Sequence, residues 1–154
     1  MKKGYREFLA EAEAEIDTLP VEQALRLHKD GKGLFVDLRE DREIQRDGRI
    51  PGAFSCPRGM LEFWIDPECQ YAKPVFREHR RFVFYCAAGW RSALAAKTAQ
   101  DMGLPNVAHV GGGYTAWKKA GGPVELPKLD PGTLVAHIVA RISNVGLVRT
   151  RFGL

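Results

Sequence analysis

Apolar runs alternate with amphipathic runs along most of the chain. Arg81 leads into Phe82-Val83-Phe84-Tyr85, a short stretch rich in β-branched and aromatic residues, as a strand covered on both faces requires. Leu34 to Leu38 and Val107 to Val110 read the same way, and Ala53 to Pro57 is a further short extended run. Between them, Pro20 opens a helix that places Val21, Ala24, Leu25 and His28 on one face and ends at Gly31-Lys32-Gly33. Met60 to Trp64 and Val75 to His79 read as short helices around the Asp66-Pro67 turn. Ser92 to Met102 reads as a longer helix with Ala93, Leu94, Ala96, Ala99 and Met102 available for burial and Gly103 as its stop. Tyr114 to Ala120 closes the series before Gly121-Gly122. Strands alternating with helices in this way predict an α/β fold, a parallel sheet with helices on both faces.

Two segments stand outside this alternation. Tyr5, Phe8, Leu9, Ala12 and Ile16 recur at helical spacing near the start. Leu134, Val135, Ile138, Val139 and Ile142 do the same near the end, after Asp130-Pro131, a good cap and first turn. Each helix therefore has an apolar face to bury. Packing on the main domain, or on each other, is the simplest use of those faces, and a dimer or partner interface is the alternative. Arg149 to Leu154 reads as a frayed tail. The chain divides into an N-terminal helical extension over residues 1–15, a catalytic domain over 16–125 and a C-terminal helical extension over 126–154.

With 154 residues, 45% hydrophobic and 27% charged, the chain has the size and composition of one folded domain. The net charge of +4 is mild, and no nucleic-acid partner is expected from it. No apolar run approaches the length of a membrane span, and Met1 to Phe8 carries no signal-peptide core, so neither a membrane partner nor export is expected. Three cysteines without close pairing suit free thiols in a reducing compartment, and the expected location is cytoplasmic.

Cys86 is the residue that carries chemistry. It lies between the Phe82–Tyr85 strand and the following helix, so that a thiolate there faces turn amides and the positive end of a helix, both of which favour the anion. Cys86-Ala87-Ala88-Gly89-Trp90-Arg91-Ser92 resembles the active-site loop of the rhodanese-type sulfurtransferases. Three more segments agree, in order: Phe35-Val36-Asp37-Leu38-Arg39-Glu40 is similar to the family's "VDVRE" strand end, Gly48-Arg49-Ile50-Pro51-Gly52-Ala53 to its "GHIPGA" turn, and Val110-Gly111-Gly112-Gly113-Tyr114-Thr115-Ala116-Trp117 to its "LxGGxxAW" segment. Arg49 departs from the family's histidine, at a position that reads as structural.

The resemblance implies a rhodanese-like three-layer fold and a single-domain sulfurtransferase that moves a sulfane sulfur from thiosulfate or a related donor to a thiol or cyanide through a Cys86 persulfide. In that reading Cys86 is the nucleophile. Amides from Ala87 to Ser92 turn inward to hold the persulfide, the small Ala87, Ala88 and Gly89 let the backbone curl, and Gly89 supplies an unusual backbone angle. Arg91, the loop's one cation, suits the sulfonate of a donor, with a salt bridge to Asp37 or Glu40 as its competing role. Trp90 either covers the sulfur or packs on a neighbour. Asp37, at the carboxyl edge of its strand, either supports the loop or is a buried carboxylate satisfied by turn amides. Phe63 and Trp64 complete the wall of the site, and Trp117 belongs to the core.

Cys56 reads as core and Cys69 as an exposed loop thiol with a weak claim to be a resolving cysteine. His28, His79, His109 and His137 lack paired-ligand spacing and there is no CxxC, so no metal is expected, and no cofactor either. Gly111-Gly112-Gly113 reads as a turn, because the spacing of a nucleotide fingerprint is missing. The partners expected are a small-molecule sulfur donor and a thiol acceptor, with a homodimer or a protein sulfur acceptor using the terminal helices.

Two other classes compete. A cysteine phosphatase or arsenate reductase uses a similar strand, loop and helix but places five residues between cysteine and arginine, where this chain has four. A partner-binding module of the same fold would have no need of Cys86.

Overall fold

The computed structural model describes residues 1–128 and, beyond them, 132, 135, 136, 138–140 and 142. Its strands are β1 (Asp17–Leu19), β2 (Leu34–Asp37), β3 (Phe54–Ser55), β4 (Phe82–Tyr85) and β5 (Val107–Val110). They form one sheet in the order β1-β5-β4-β2-β3, and every pairing is parallel. β4 is central, and all four of its residues are buried. That is why it reads as an unbroken apolar run rather than an alternating one.

Side chains leave the sheet alternately to two cores. Val83 and Tyr85 join Phe35, Tyr114, Trp117 and Ala24 on the face covered by α2 (Val21–Lys29) and α6 (Gly113–Lys119). Phe82, Phe84 and Cys86 join Val36, Leu61, Ala95, Ala96 and Ala99 on the face covered by α4 (Leu61–Ile65) and α5 (Trp90–Asp101). Alanines on the buried side of α5 let that helix lie close to the strands. α1 (Tyr5–Glu15) packs on the outside of α5. This is the three-layer arrangement expected from the alternation.

The differences from the sequence-based expectations have local causes. α5 begins at Trp90, two residues earlier than expected, because Gly89 takes a left-handed conformation (φ 101°) and turns the chain straight into the helix. The segment around Val75 is a 3-10 turn, Pro74–Arg77. β1 and α3 (Asp41–Asp47) were not expected at all: β1 is three residues long with only Leu19 buried, and α3 is seven residues with only Ile44 buried. Neither is long enough to show a period. On α1, Ala12 is buried and Leu9 and Ile16 half-buried, but Tyr5 and Phe8 stay about half exposed, so the expected apolar face is only partly covered. Val135, Ile138, Val139 and Ile142 are helical, as expected, and each is about half exposed or more. Leu134, the Asp130-Pro131 cap and the tail from Arg149 lie outside the described residues. Arg49 pairs with Glu125 through backbone hydrogen bonds in both directions and a 3.0 Å ion pair, which is a structural use of that position.

The end of β2 is held by a buried ion pair. Asp37 Oδ1 accepts from the Arg39 amide at 3.1 Å and from Arg39 Nε at 2.9 Å, while Oδ2 accepts from an Arg39 terminal nitrogen and the Tyr85 hydroxyl, each at 2.7 Å. Arg39 also donates to the Gly48 carbonyl and stacks over the Tyr114 ring at 4.1 Å. Both charged side chains are at most 1% exposed. Every charge in the cluster is met, so removing one partner leaves the other stranded. Arg39→Met is therefore expected to cost about 3–5 kcal/mol, read as a fall of roughly 10 °C in thermal midpoint. A midpoint within a degree or two of the parent would mean that Asp37 is not buried as a charge.

Candidate active site

Cys86 sits at the carboxyl end of the central strand, where open α/β sheets present their functional groups. The loop it begins is flanked by the segments that follow both neighbouring strands. On the β5 side, the Cys86 and Ala87 carbonyls accept hydrogen bonds from the Tyr114 and Thr115 amides, at 2.8 and 3.0 Å. This docking brings Gly113 so close that a Cβ there would lie 2.5 Å from the Cys86 oxygen, and Gly113 itself has φ +59°. The glycine-rich turn is thus the support of the loop. On the β2 side, α3 supplies Glu43.

Cys86 is 1% exposed. Its sulfur accepts from the Gly89 amide at 3.2 Å and from the Ser92 amide at 3.4 Å, and lies 3.5 Å from the Ser92 hydroxyl. Among the described residues, those are the two loop amides aimed at sulfur, fewer than the Ala87-to-Ser92 set expected. Ser92 Oγ also lies 3.2 Å from the Gly89 carbonyl and 3.0 Å from His109 Nδ1, either of which can accept its hydroxyl proton.

Arg91 is paired with neither Asp37 nor Glu40. It makes a two-pronged pair with Glu43, 2.8 Å on each arm. Asp37 belongs to Arg39, as described above. It reaches the loop only through Tyr85, the residue before Cys86. Glu43 also caps its own helix, accepting from the Glu40 amide at 2.8 Å. The Arg91 bonds come first in holding the Glu43 carboxyl at about 2, against desolvation that would raise it. The Arg91 guanidinium is raised correspondingly, by Glu43 first and to a smaller extent by Cys86.

Trp90 does not lie buried over the sulfur. It is 59% exposed and stacks on Tyr5 of α1, ring centroids 5.3 Å apart. With Leu9, Leu94 and Arg91 the two rings line an apolar hollow of 260 Å³ beside the loop. Trp64 packs on Phe54 and under Lys73, Phe63 is exposed, and Trp117 is fully buried, as expected of a core residue. Cys56 is buried, and desolvation, outweighing the nearby Arg58 charge, pushes its thiol up to about 12. Cys69 is half-buried in its loop and accepts from the Tyr71 amide.

Three residues at this site escaped the sequence reading. Arg39 follows Asp37 at a spacing that permits one side chain to bond the other, and Glu43 completes a capping pattern with Glu40; both signals were present. His109 had no signal beyond its place in a strand.

The family model for the Rhodanese-like domain matches residues 20–120, and the chain belongs to that family. It is 31% identical over 108 residues to the mitochondrial thiosulfate sulfurtransferase RDL2 of Saccharomyces cerevisiae, covering 66% of this chain and 70% of that protein. It is 30% identical over 114 residues to a sulfurtransferase of Allochromatium vinosum, 74% of this chain and 96% of that one. A solved structure from Rhodopseudomonas palustris CGA009, a protein of unknown function described as a possible tyrosine phosphatase, is 60% identical with a TM-score of 0.80, over 81% of this chain and 96% of that one. Among the described residues no helix is long and apolar enough to cross a membrane.

The Glu43–Arg91 pair gives a pH-dependent signature. A carboxyl lowered from 4.5 to about 2 stabilises the fold above the upper value and loses that contribution as pH falls towards the lower one. Arg91 is 39% exposed, so solvent screening keeps the effect to about 1 kcal/mol or less. Thermal midpoints of Glu43→Gln and the parent are expected to differ most above about pH 5 and to converge towards pH 2. A difference that stays constant across that range would contradict the pairing.

Proposed function

We propose that the protein is a sulfurtransferase that carries a sulfane sulfur on Cys86. The observation that carries this reading is the cradle at the sulfur: two backbone amides donate to one atom, which itself lies 3.5 Å from the Ser92 hydroxyl, within a loop that leaves only Ala87, Ala88, Gly89 and Trp90 between Cys86 and Arg91. Hydrogen bonds to an anionic sulfur favour the thiolate and, after the first step, the persulfide. The thiolate attacks the outer sulfur of thiosulfate or a thiosulfonate. The S–S bond of the donor breaks, sulfite or a sulfinate leaves with the electron pair, and Cys86 holds the transferred sulfur. An acceptor thiolate or cyanide then takes the terminal sulfur and returns Cys86 to the thiolate. A reducing compartment such as the cytoplasm keeps the resting thiol free.

The phosphatase reading draws support from the description of the Rhodopseudomonas palustris relative. Against it stands the length of the loop. A phosphate needs donors spread around several oxygens, whereas here the amides point at the cysteine sulfur itself. The exposed Tyr5 and Phe8, with Trp90 next to them, offer apolar surface near the loop that suits a protein acceptor or a second copy.

Arg91 receives the donor's anionic group in this scheme. Its pair with Glu43 uses one N–H on each terminal nitrogen out of five on the guanidinium. Arg91→Ala is expected to raise KM for thiosulfate about tenfold and to change KM for an uncharged donor far less. Equal losses for the two donors would mean that Arg91 acts only by holding α3 in place.

Incubation with thiosulfate followed by removal of the donor is expected to add the mass of one sulfur to the peptide containing Cys86. Cyanide or dithiothreitol should erase it, and Cys86→Ser should lack it. Aryl-phosphate hydrolysis by the same sample without sulfur loading would favour the phosphatase reading. Sulfur on Cys56 or Cys69, or full transferase activity in Cys86→Ser, would sink the assignment.

A further inference from the structure

His109 is buried, 2% exposed, on the sheet face shared with Cys86, and it is the inner member of a continuous hydrogen-bonded chain. Cys86 Sγ lies 3.5 Å from Ser92 Oγ, Ser92 Oγ lies 3.0 Å from His109 Nδ1, and His109 Nε2 lies 2.9 Å from Thr18 Oγ1. Thr18 is on the exposed edge strand β1. The chain therefore runs from a buried nucleophile to the surface on the far side of the neighbouring strand. Cys86 itself has almost no contact with solvent, and this chain offers a proton leaving its thiol a route outward.

We infer that His109 is a positioning residue for Cys86: by exchanging ring tautomers it turns the Ser92 hydroxyl onto the thiolate and passes the thiol proton outward to Thr18. The inference rests on Cys86 being the reactive group.

In the thiol state the bonds run outward. Cys86 S–H donates to Ser92 Oγ, Ser92 O–H to Nδ1, Nε2–H to Thr18 Oγ1, and Thr18 O–H to water. One proton then shifts along each bond, and the last is taken by a base in solvent. Cys86 is left as thiolate, Ser92 O–H donates to it, Nδ1–H donates to Ser92 and Thr18 O–H donates to Nε2. Every atom keeps its valence, and the net change is one proton moved from sulfur to the solvent base.

The ring matters because Ser92 has one hydroxyl proton and several acceptors within reach. If Nδ1 lacked its proton, it would claim the hydroxyl at 3.0 Å, and the thiolate would lose that bond. With the proton on Nδ1, the hydroxyl must choose between the Gly89 carbonyl at 3.2 Å and an anionic sulfur, and a charged acceptor binds more strongly. Thr18, by donating to Nε2, selects that tautomer.

The imidazole is not a lasting proton store. Burial lowers it to about 4, against the opposing pull of Asp17, so it is neutral before and after the shift. The charged groups around the chain are few among the described residues. Asp17, beside Thr18, is ion-paired with Arg81 at 2.5 Å, and Arg91 near Cys86 is paired with Glu43. Both acids are held in ion pairs, so the alkylation response of Cys86 reads the chain.

The rate of alkylation of the Cys86 peptide by iodoacetamide, followed by mass spectrometry as a function of pH, measures the ionisation without any sulfur donor. His109→Phe fills the space and offers no ring N–H. Its alkylation midpoint is expected to move about one unit to higher pH, a roughly tenfold loss of rate below the midpoint. His109→Asn keeps an amide N–H towards Ser92 and should recover most of that loss. Thr18→Val should give a smaller shift in the same direction. A folded His109→Phe with the parent's alkylation profile would overturn the inference. Should that variant fail to fold, Thr18→Val decides, since it alters one exposed hydroxyl, and an unchanged midpoint there overturns it as well. If the parent takes no sulfur from thiosulfate while the alkylation midpoint still follows His109, the sulfurtransferase reading fails and the relay stands.

Discussion

The two hydrogen bonds from the Tyr114 and Thr115 amides to the Cys86 and Ala87 carbonyls fix the position of Cys86, and the rest of the candidate site is arranged around them. A carbonyl at the end of a buried strand has lost its sheet partner and must find another. Here the next strand's exit turn supplies it. That turn can come so close only because Gly113 has no side chain and tolerates a positive φ. Gly89 meets the same demand from the other side: its φ of 101° begins α5 at once, so that the loop closes in four residues and the Gly89 and Ser92 amides reach one atom.

The β2 side supplies charge rather than backbone. Asp37, Arg39 and Tyr85 form a closed cluster beneath the loop, in which each donor has an acceptor and each charge a counter-charge. Burial and the Asp37 carboxylate push the Tyr85 hydroxyl far above its ordinary value, so it stays a donor and holds the residue before Cys86 in register with β2. One turn further on, Glu43 holds Arg91. The loop's cation is therefore held by a carboxylate beside Cys86, whose sulfur also contributes to its electrostatics.

Much of this was legible in the sequence because β4, β2 and β5 are short, mostly apolar runs in a parallel sheet and because the loop, strand end and glycine turn occur in order. The short elements were not. β1 is recognisable only once its pairing with β5 is known, since three residues with one buried side chain carry no period. The Arg91 partner was misplaced for a related reason: without α3, the nearest acidic candidates by sequence were Asp37 and Glu40, while the helix carries Glu43 across to the loop. His109 was screened for metal-ligand spacing, which is a sequence pattern. Its actual neighbours, Ser92 and Thr18, lie 17 and 91 residues away and meet it only through parallel pairing of three strands and one helix.

Cys56 and Cys86 show what the cradle contributes. Both are buried to within 1% at the carboxyl ends of strands in the same core. At Cys56 burial dominates: desolvation raises the thiol to about 12 against smaller charge contributions that include Arg58, and the sulfur has the Pro57 carbonyl as a distant acceptor at 4.0 Å. A thiol in that setting is an apolar space-filler. Cys86 has the same depth but lies against two amides, a hydroxyl and the first turn of a twelve-residue helix. The two amides and the helix end offer positive charge density to sulfur. The two cysteines share a depth and differ in the orientation of the backbone around them, and at Cys86 that orientation is set by two glycines that contribute no side chain at all.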